Sequence, residues 1–404
     1  MPFYAVYALA MSDGGLSAAQ ISSLFVVWSL TSFVAEVPSG AWADTVDRRR
    51  LLVLSGLLYA VAFGMWLAWP AYPGYLIGFV CWGVSSALMS GTFEALLYDH
   101  LNSAGAAHRY AAIKGRAQTA ALLATLAAMA VAGLLVSLGG YTLVGAVSVA
   151  MALAHTAVAA TLPASRAAAP APAGDHAPAA RDDHRTGERA RERQQPPSDT
   201  GALGDYLAML RSGIGEAVRV PRVRRVAVVA AAMLGLTAYD EYFPLVLAEH
   251  GFTAERIPVL LAVIVAGQAL GTALAGRTTG WSQRRIAWLY GTGAVLIGAG
   301  ALAGSPAGFV AIALGYGAVN NAFLIGEARL QESISGAARA TVTSVSGLGA
   351  EVFSLAVFAF VALGSTWWSI VTVLALLTVP SLATAVLASR WLPRHRPASV
   401  PSAD

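Results

Sequence analysis

The chain of 404 residues contains one cysteine, Cys81, and one lysine, Lys114, and only 12% of its residues are charged. A single cysteine set in an apolar run excludes disulfides and multi-thiolate metal sites within one chain. No paired metal-binding histidines, no glycine-rich nucleotide loop and no nucleophile motif are found, and His155 stands alone in an apolar run. Neither an enzyme nor a bound cofactor is therefore expected. The formal net charge is +4, but the arginines fall mostly at the ends of apolar runs. That distribution fits membrane topology and gives no reason to expect a nucleic-acid partner. No cleavable leader is expected, since Met1 to Met11 lacks a basic flank and no small-residue cleavage site follows convincingly.

What the chain does have is apolar surface: 57% hydrophobic residues and a mean hydropathy of +0.62. This is too apolar for a soluble protein of ordinary composition, so a multi-pass membrane protein is expected, with the lipid bilayer as its surroundings. Apolar runs occur at Ile21 to Ala43, Leu51 to Trp69, Tyr75 to Leu97, Ala117 to Leu138 and Tyr141 to Leu162. Each is close to the ~20 residues that a helical span needs. Met1 to Met11 supplies about half of that length, so a truncated first helix is expected, with the native start upstream.

Residues 163–202 are rich in Ala, Pro, Arg, Asp and Glu and read as a disordered linker, because they offer nothing to bury. Over 203–224, Leu203, Tyr206, Leu207, Leu210, Ile214 and Val218 recur at helical spacing beside arginines. This predicts an amphipathic helix on the membrane surface, with a plain solvated helix as the alternative. Six further runs fill 225–392, followed by a polar tail over 393–404. Placing Gly40 on Gly276 brings Arg48 onto Arg284 and Arg49 onto Arg285, while a similar shift sets Glu94 over Glu327. The expected fold is all-α: two six-helix bundles, 1–162 and 225–392, related by a pseudo-two-fold axis. Lys and Arg cluster on alternate loops, with Arg256 the exception, so both termini and the linker are expected on the cytoplasmic side.

The second and third spans meet at Gly40, Asp44 and Arg48, Arg49 and Arg50. Glycine permits close helix approach, and an aspartate can lie against a helix N-terminus. This spacing resembles the loop-two-three signature of the major facilitator superfamily, with Asp47 where the family usually has glycine. Asp47 is a candidate partner for Arg48 or Arg50, and Asp44 is expected against the start of the eleventh span, near Arg339 to Val342. A topology signal alone is the simpler reading of the arginines. Asp99 matches the fourth-helix acid that pairs with arginines such as Arg48. The resemblance implies a secondary transporter, monomeric and in the cell membrane, that moves a small molecule by alternating access. Proton-coupled efflux of an amphipathic compound is the preferred reading. Uptake of a small metabolite and a non-transporting sensor are the alternatives.

Acids inside a span are functional candidates, because charge there costs ~2.5 kcal/mol or more. Asp240 and Glu241 in the seventh span are candidates for cation binding or proton coupling, and the ~100° between neighbours on an α-helix leaves only one of them facing the pathway. Glu351, deep in the eleventh span, is either a proton carrier or a structural hydrogen-bond partner. Glu36 and Glu94, near span ends, are candidate gating acids. Gln268, Asn320, Asn321, Tyr239 and Phe243 are candidate cavity residues, as are Tyr4, Tyr7 and Trp82. Ser85, Ser86 and Ser90 read mostly as helix glue.

Overall fold

The computed structural model describes residues 1–163, 220–334 and 339–394, and among these there is no β-strand. Most of the expected linker, amphipathic helix and tail, together with the surroundings of Gly40 and the side chains of Asp44, Ser90 and Arg339, lie outside the described residues. Ten helices among the described residues are long and apolar enough to cross a membrane. One of them, Tyr110–Thr161, contains 52 residues and breaks at Gly139 and Gly140. At 1.5 Å per residue it is twice too long for one crossing, so it forms the fifth and sixth spans joined by a sharp turn. Gly140 has φ of 62°, a left-handed conformation that glycine adopts without steric penalty.

The first span is short, a 3-10 turn over Pro2–Ala5 followed by a helix over Tyr7–Asp13. The second, third and fourth are Ala18–Thr45, Arg48–Ala68 and Tyr72–Ser103. The seventh is broken: an α-helix over Pro221–Gly235, a 3-10 segment over Leu236–Tyr242, and an α-helix over Phe243–Glu249. The eighth to eleventh are Ile257–Thr278, Gln283–Ala303, Pro306–Ser333 and Arg339–Gly364. The twelfth joins Ile370–Leu376 to Thr378–Trp391. Where spans restart, side chains cap them. Ser17 and Gln20 form a reciprocal box at the second, and the Asp47 carboxylate accepts from the Arg49 amide at 3.0 Å at the third. Asp47 is thus a helix cap, a local role that the sequence reading, which paired it with arginine side chains, did not anticipate.

The first six spans pack together, as do the last six, and the halves meet where the second span runs along the eleventh and the fifth along the eighth. Small residues set the closest approaches, as bilayer packing requires. A Cβ placed on Gly271 of the eighth span would lie 2.0 Å from the Gly317 carbonyl oxygen of the tenth, and the Asn321 amide donates to the Gly271 carbonyl at 2.8 Å. Gly271→Leu must therefore prise these helices apart. Overpacking of this kind costs ~1–3 kcal/mol, so thermal unfolding in detergent is expected to fall by roughly 1–4 °C. Gly276→Ala on the same helix, with nothing within 4 Å of its added Cβ, is the control that should not lower it. Equal melting of Gly271→Leu and wild type would show that the contact is not tight.

Candidate functional site

The short first span is held in place by aromatic rings. The Phe3 amide donates to Ser148 Oγ of the sixth span at 3.0 Å. The Tyr7 ring has centroids 5.8–5.9 Å from Phe25, Trp66, Phe79 and Trp82. The contact with Trp66 is tilted and the other three are edge-to-face, and buried ring packing of this kind fixes orientation. So held, the Tyr7 hydroxyl donates to Glu241 Oε2 of the seventh span, across the boundary between halves. Asp240 accepts instead from Tyr316 of the tenth span, within its own half. Glu351 accepts from Ser29 of the second span, again across the boundary, and the Tyr242 hydroxyl donates to Ser22 Oγ at 2.7 Å.

These bonds surround a plug. Phe25 lies 5.5 Å from Tyr242 and 5.6 Å from Phe358, centroid to centroid, which seals the second, seventh and eleventh spans toward the arginine-free end. At that same end the fifth span touches the loop between the seventh and eighth, with a Cβ on Gly133 falling 2.1 Å from the Glu255 carbonyl oxygen. Outside the spans, the Glu255 carboxyl is held below its ordinary range, first by a hydrogen bond from Thr253.

A cavity of about 550 Å³ opens between the halves on the arginine-bearing side of the plug, walled by the second, seventh and eleventh spans. Its lining includes Trp28, Ser29, Ser32, Phe33, Glu36, Asp240, Glu241, Glu351 and Phe358, and Glu36 is exposed. A second cavity of about 250 Å³ lies among the first, fifth, seventh, eighth and tenth spans, lined by Tyr4, Tyr7, Phe243, Gln268 and Tyr316. Asp240 and Glu241 belong to the walls of both. The one-in-two orientation drawn from an ideal α-helix therefore fails, because the pair lies in the 3-10 break, where the backbone is wound differently.

Other expectations also change. Tyr239 is buried against Phe243 and Tyr316 and lines neither cavity. Asn321 is buried, and its side chain accepts from Thr278 at 2.8 Å while donating to Gly271, so it ties the eighth span to the tenth. Asn320 accepts from Gln268 at 3.1 Å and donates to the Tyr316 carbonyl at 2.9 Å, with only Gln268 of the two reaching a cavity wall. Trp82 belongs to the aromatic core. Ser85 and Ser55 bond reciprocally between the third and fourth spans.

At the arginine-bearing end, Arg48 of the third span forms a salt bridge with Asp99 of the fourth. Glu94 pairs with Lys114 at 2.6 Å, joining the fourth span to the fifth. Arg49 and Arg50 follow Arg48 in the first turn of the third span. Sequence reasoning missed Tyr316, Ser22, Ser29, Trp28 and Ser32. A signal for the second span existed: Ser22, Phe25, Ser29, Ser32 and Glu36 repeat every three or four residues and so share one face.

The family model of the Major Facilitator Superfamily matches residues 1–350. Among curated proteins, none matches the sequence significantly. Solved structures share the fold. A point mutant of the nucleoside transporter NupG superposes with a TM-score of 0.67 at 13% identity, covering 96% of this chain and 95% of that one. A D-xylose–proton symporter gives 0.67 at 13%, covering 96% and 92%. A bacterial homologue of the iron transporter ferroportin, in an inward-facing state, gives 0.64 at 14%, covering 96% and 93%.

Proposed function

The chain belongs to the major facilitator superfamily, a family of multi-pass membrane transporters, and from that premise we propose that it exports a small organic solute by proton-coupled alternating access. One observation carries the reading. Asp240 and Glu241 occupy a break in a membrane-spanning helix, shared by two cavities, and the hydroxyl that meets Glu241 comes from the opposite half. Broken helices at the interface of repeats are where transporters bind substrates and coupling ions. A carboxylate there is costly while charged and unpaired by a cation, so it takes up a proton in one state and gives it up in another.

The cycle follows from this arrangement. The arginine-bearing end is the cytoplasmic end, with both termini and the linker on that side of the cell membrane. The solute enters the larger cavity from the cytoplasm, and the pair loses its proton. The halves then rock about their interface, the plug of Phe25, Tyr242 and Phe358 opens, and protons from outside reload the pair as the solute leaves. Gly40, Asp44 and Arg48 to Arg50, with Asp99, brace the cytoplasmic end when it closes, and Glu94 and Glu36 lie beside the same entrance. The protein works as a monomer, because each chain holds both halves of the cavity.

Proteoliposomes with an imposed pH gradient and a pH-sensitive dye inside, screened against a panel of amphipathic compounds, test the proposal. At least one compound is expected to move against its own gradient while protons move the opposite way, and a protonophore should abolish this. Solute flux that ignores the protonophore, for every compound transported, would overturn proton coupling.

A further inference from the structure

The outer surface of the second half carries two long apolar grooves, and charge distinguishes them. One, of about 690 Å³, lies between the seventh, eleventh and twelfth spans and has no charged residue in its wall. The other, of about 620 Å³, runs between the ninth and twelfth spans and has Arg284 at one end. Arg284, Trp288, Thr292 and Val295 follow one another at helical spacing along the ninth span, and Leu382 and Val386 face them from the twelfth. Between these walls the two helices touch: a Cβ on Gly291 would lie 3.4 Å from the Ala385 Cβ. Small residues thus make the floor, and exposed apolar side chains make the rims.

The arginine at the end of this groove is set apart by a break in the internal repeat. The register that places Gly40 on Gly276 places Arg48 on Arg284. In the first half Arg48 is paired with Asp99. The shift that sets Glu94 over Glu327 also sets Asp99 over Glu332, but Glu332 has Arg329 of its own helix 3.9 Å away. Arg284 is therefore left exposed, with no ion-pair partner among the described residues. Arg285 follows it, and Arg390 follows Ser389 of the opposite wall; both are exposed and unpaired among the described residues as well. Trp288, one turn deeper than Arg284, is 76% exposed. Indoles at that depth sit at the level of lipid headgroups.

Length supplies the remaining constraint. The eleven residues from Arg284 to Val295 rise ~16 Å along a helix, about half of a ~30 Å hydrocarbon core. The groove thus spans one leaflet, with its positive end at the membrane surface. We propose that it is a binding site for an anionic phospholipid of the leaflet at the arginine-bearing end, with the phosphate on Arg284 and one acyl chain lying along the groove. Basic pockets between membrane helices hold acidic headgroups in this way. The inference needs only the membrane-spanning fold and does not depend on the direction or coupling of transport.

Purified full-length protein in mixed micelles of neutral detergent, titrated with phosphatidylglycerol or phosphatidylcholine carrying the same brominated acyl chains, tests it. Bromine quenches tryptophan fluorescence at contact, and the difference between wild type and Trp288→Phe isolates the signal of Trp288. Phosphatidylglycerol is expected to half-saturate that signal at about one fifth of the mole fraction that phosphatidylcholine requires, since each arginine near a headgroup gives about a fivefold preference for an acidic lipid. Arg284→Gln should lower the preference about fivefold and leave phosphatidylcholine unchanged. Arg116→Gln removes the same charge from an exposed position on the first half and should change neither. Thr292→Phe, which fills the middle of the groove, should reduce quenching by both lipids and leave their ratio unaltered. The signal of Trp368, isolated in the same way through Trp368→Phe, reads the uncharged groove and should show no preference.

Equal half-saturation of Trp288 by the two lipids would overturn the inference, even if Arg284→Gln folds poorly. So would a preference of the same size at Trp368, or one that Arg116→Gln lowers as much as Arg284→Gln, because either result makes the attraction a diffuse property of the surface. Native mass spectrometry of the same samples identifies the occupant. A monomer carrying phosphatidylglycerol is expected, with less of it on Arg284→Gln. A dimer in which Trp288 is shielded from bromine would place a second copy of the chain in the groove and remove the lipid.

Discussion

Glu241→Gln is expected to bring proton-driven accumulation of solute down to the level seen with no pH gradient, while exchange of solute for solute continues. Glutamine keeps the side chain's length and an oxygen that can accept from Tyr7, so the link between halves survives. What it loses is the proton. Tyr7→Phe reverses the experiment, leaving the acid able to titrate but removing the donor that reaches it across the boundary. A hydrogen bond to a charged group contributes ~1.5–3 kcal/mol, so this loss shifts the balance away from the conformation sealed at the arginine-free end by roughly 10- to 150-fold. Tyr316→Phe removes the corresponding donor to Asp240, but that bond lies inside the second half. It is therefore expected to change proton affinity with little effect on the open–closed balance. Simultaneous recording of proton and solute flux in proteoliposomes distinguishes the three variants. Full pH-driven transport by Glu241→Gln would remove Glu241 from the coupling step.

The difference between the neighbouring acids Asp240 and Glu241 marks the limit of what the sequence discloses. The spans are legible because each must bury about 20 residues of backbone in hydrocarbon, a requirement that composition cannot hide. Intramembrane acids are legible for the same reason, and they led to Asp240, Glu241 and Glu351. Their partners are not, because Tyr7 is 234 residues from Glu241 and Ser29 is 322 from Glu351. No local pattern links positions so far apart in the chain.

The faces, however, carry a signal that becomes clear once they are paired. Ser22, Phe25, Ser29, Ser32 and Glu36 form one stripe on the second span, and Gly347, Glu351, Ser354 and Phe358 form another on the eleventh. In the structure these stripes meet, ring to ring at Phe25 and Phe358 and hydroxyl to carboxylate at Ser29 and Glu351. The break in the seventh span is only half visible in sequence. Pro244 marks the start of its last helix, as proline does where an amide has no partner to lose. Nothing marks the 3-10 winding of Leu236–Tyr242 ahead of it. An ideal helix assigned there turned one acid away from the pathway. Asn320 and Asn321 misled for a different reason: a polar side chain in a span must find a partner, and here neighbouring helices supply it.

Gly133 carries the other large effect. It lies where the fifth span of one half touches the loop before the eighth span of the other, and an added Cβ would fall 2.1 Å from the Glu255 carbonyl oxygen and 3.2 Å from its carbon. A backbone carbonyl cannot swing aside as the tip of a flexible side chain can, so the halves must separate at this end. Gly133→Val adds two further methyl groups to the wedge. At ~1–3 kcal/mol for overpacking, the sealed conformation loses roughly 5- to 150-fold in relative population. Gly115→Val on the same helix, with open space around its Cβ, is the matched control. Spin labels at Ser137 and Thr366, both exposed at the arginine-free end, in a Cys81→Ser background, report the opening by pulsed dipolar spectroscopy. Gly133→Val is expected to lengthen that distance and to shorten the distance between labels at Ser103 and Glu332 at the opposite end. Transport should slow, because a cycle held open on one side returns rarely to the other. If both distances match the Gly115→Val control, the fifth span slides past the loop without sealing anything. The barrier would then rest on Phe25, Tyr242 and Phe358 alone.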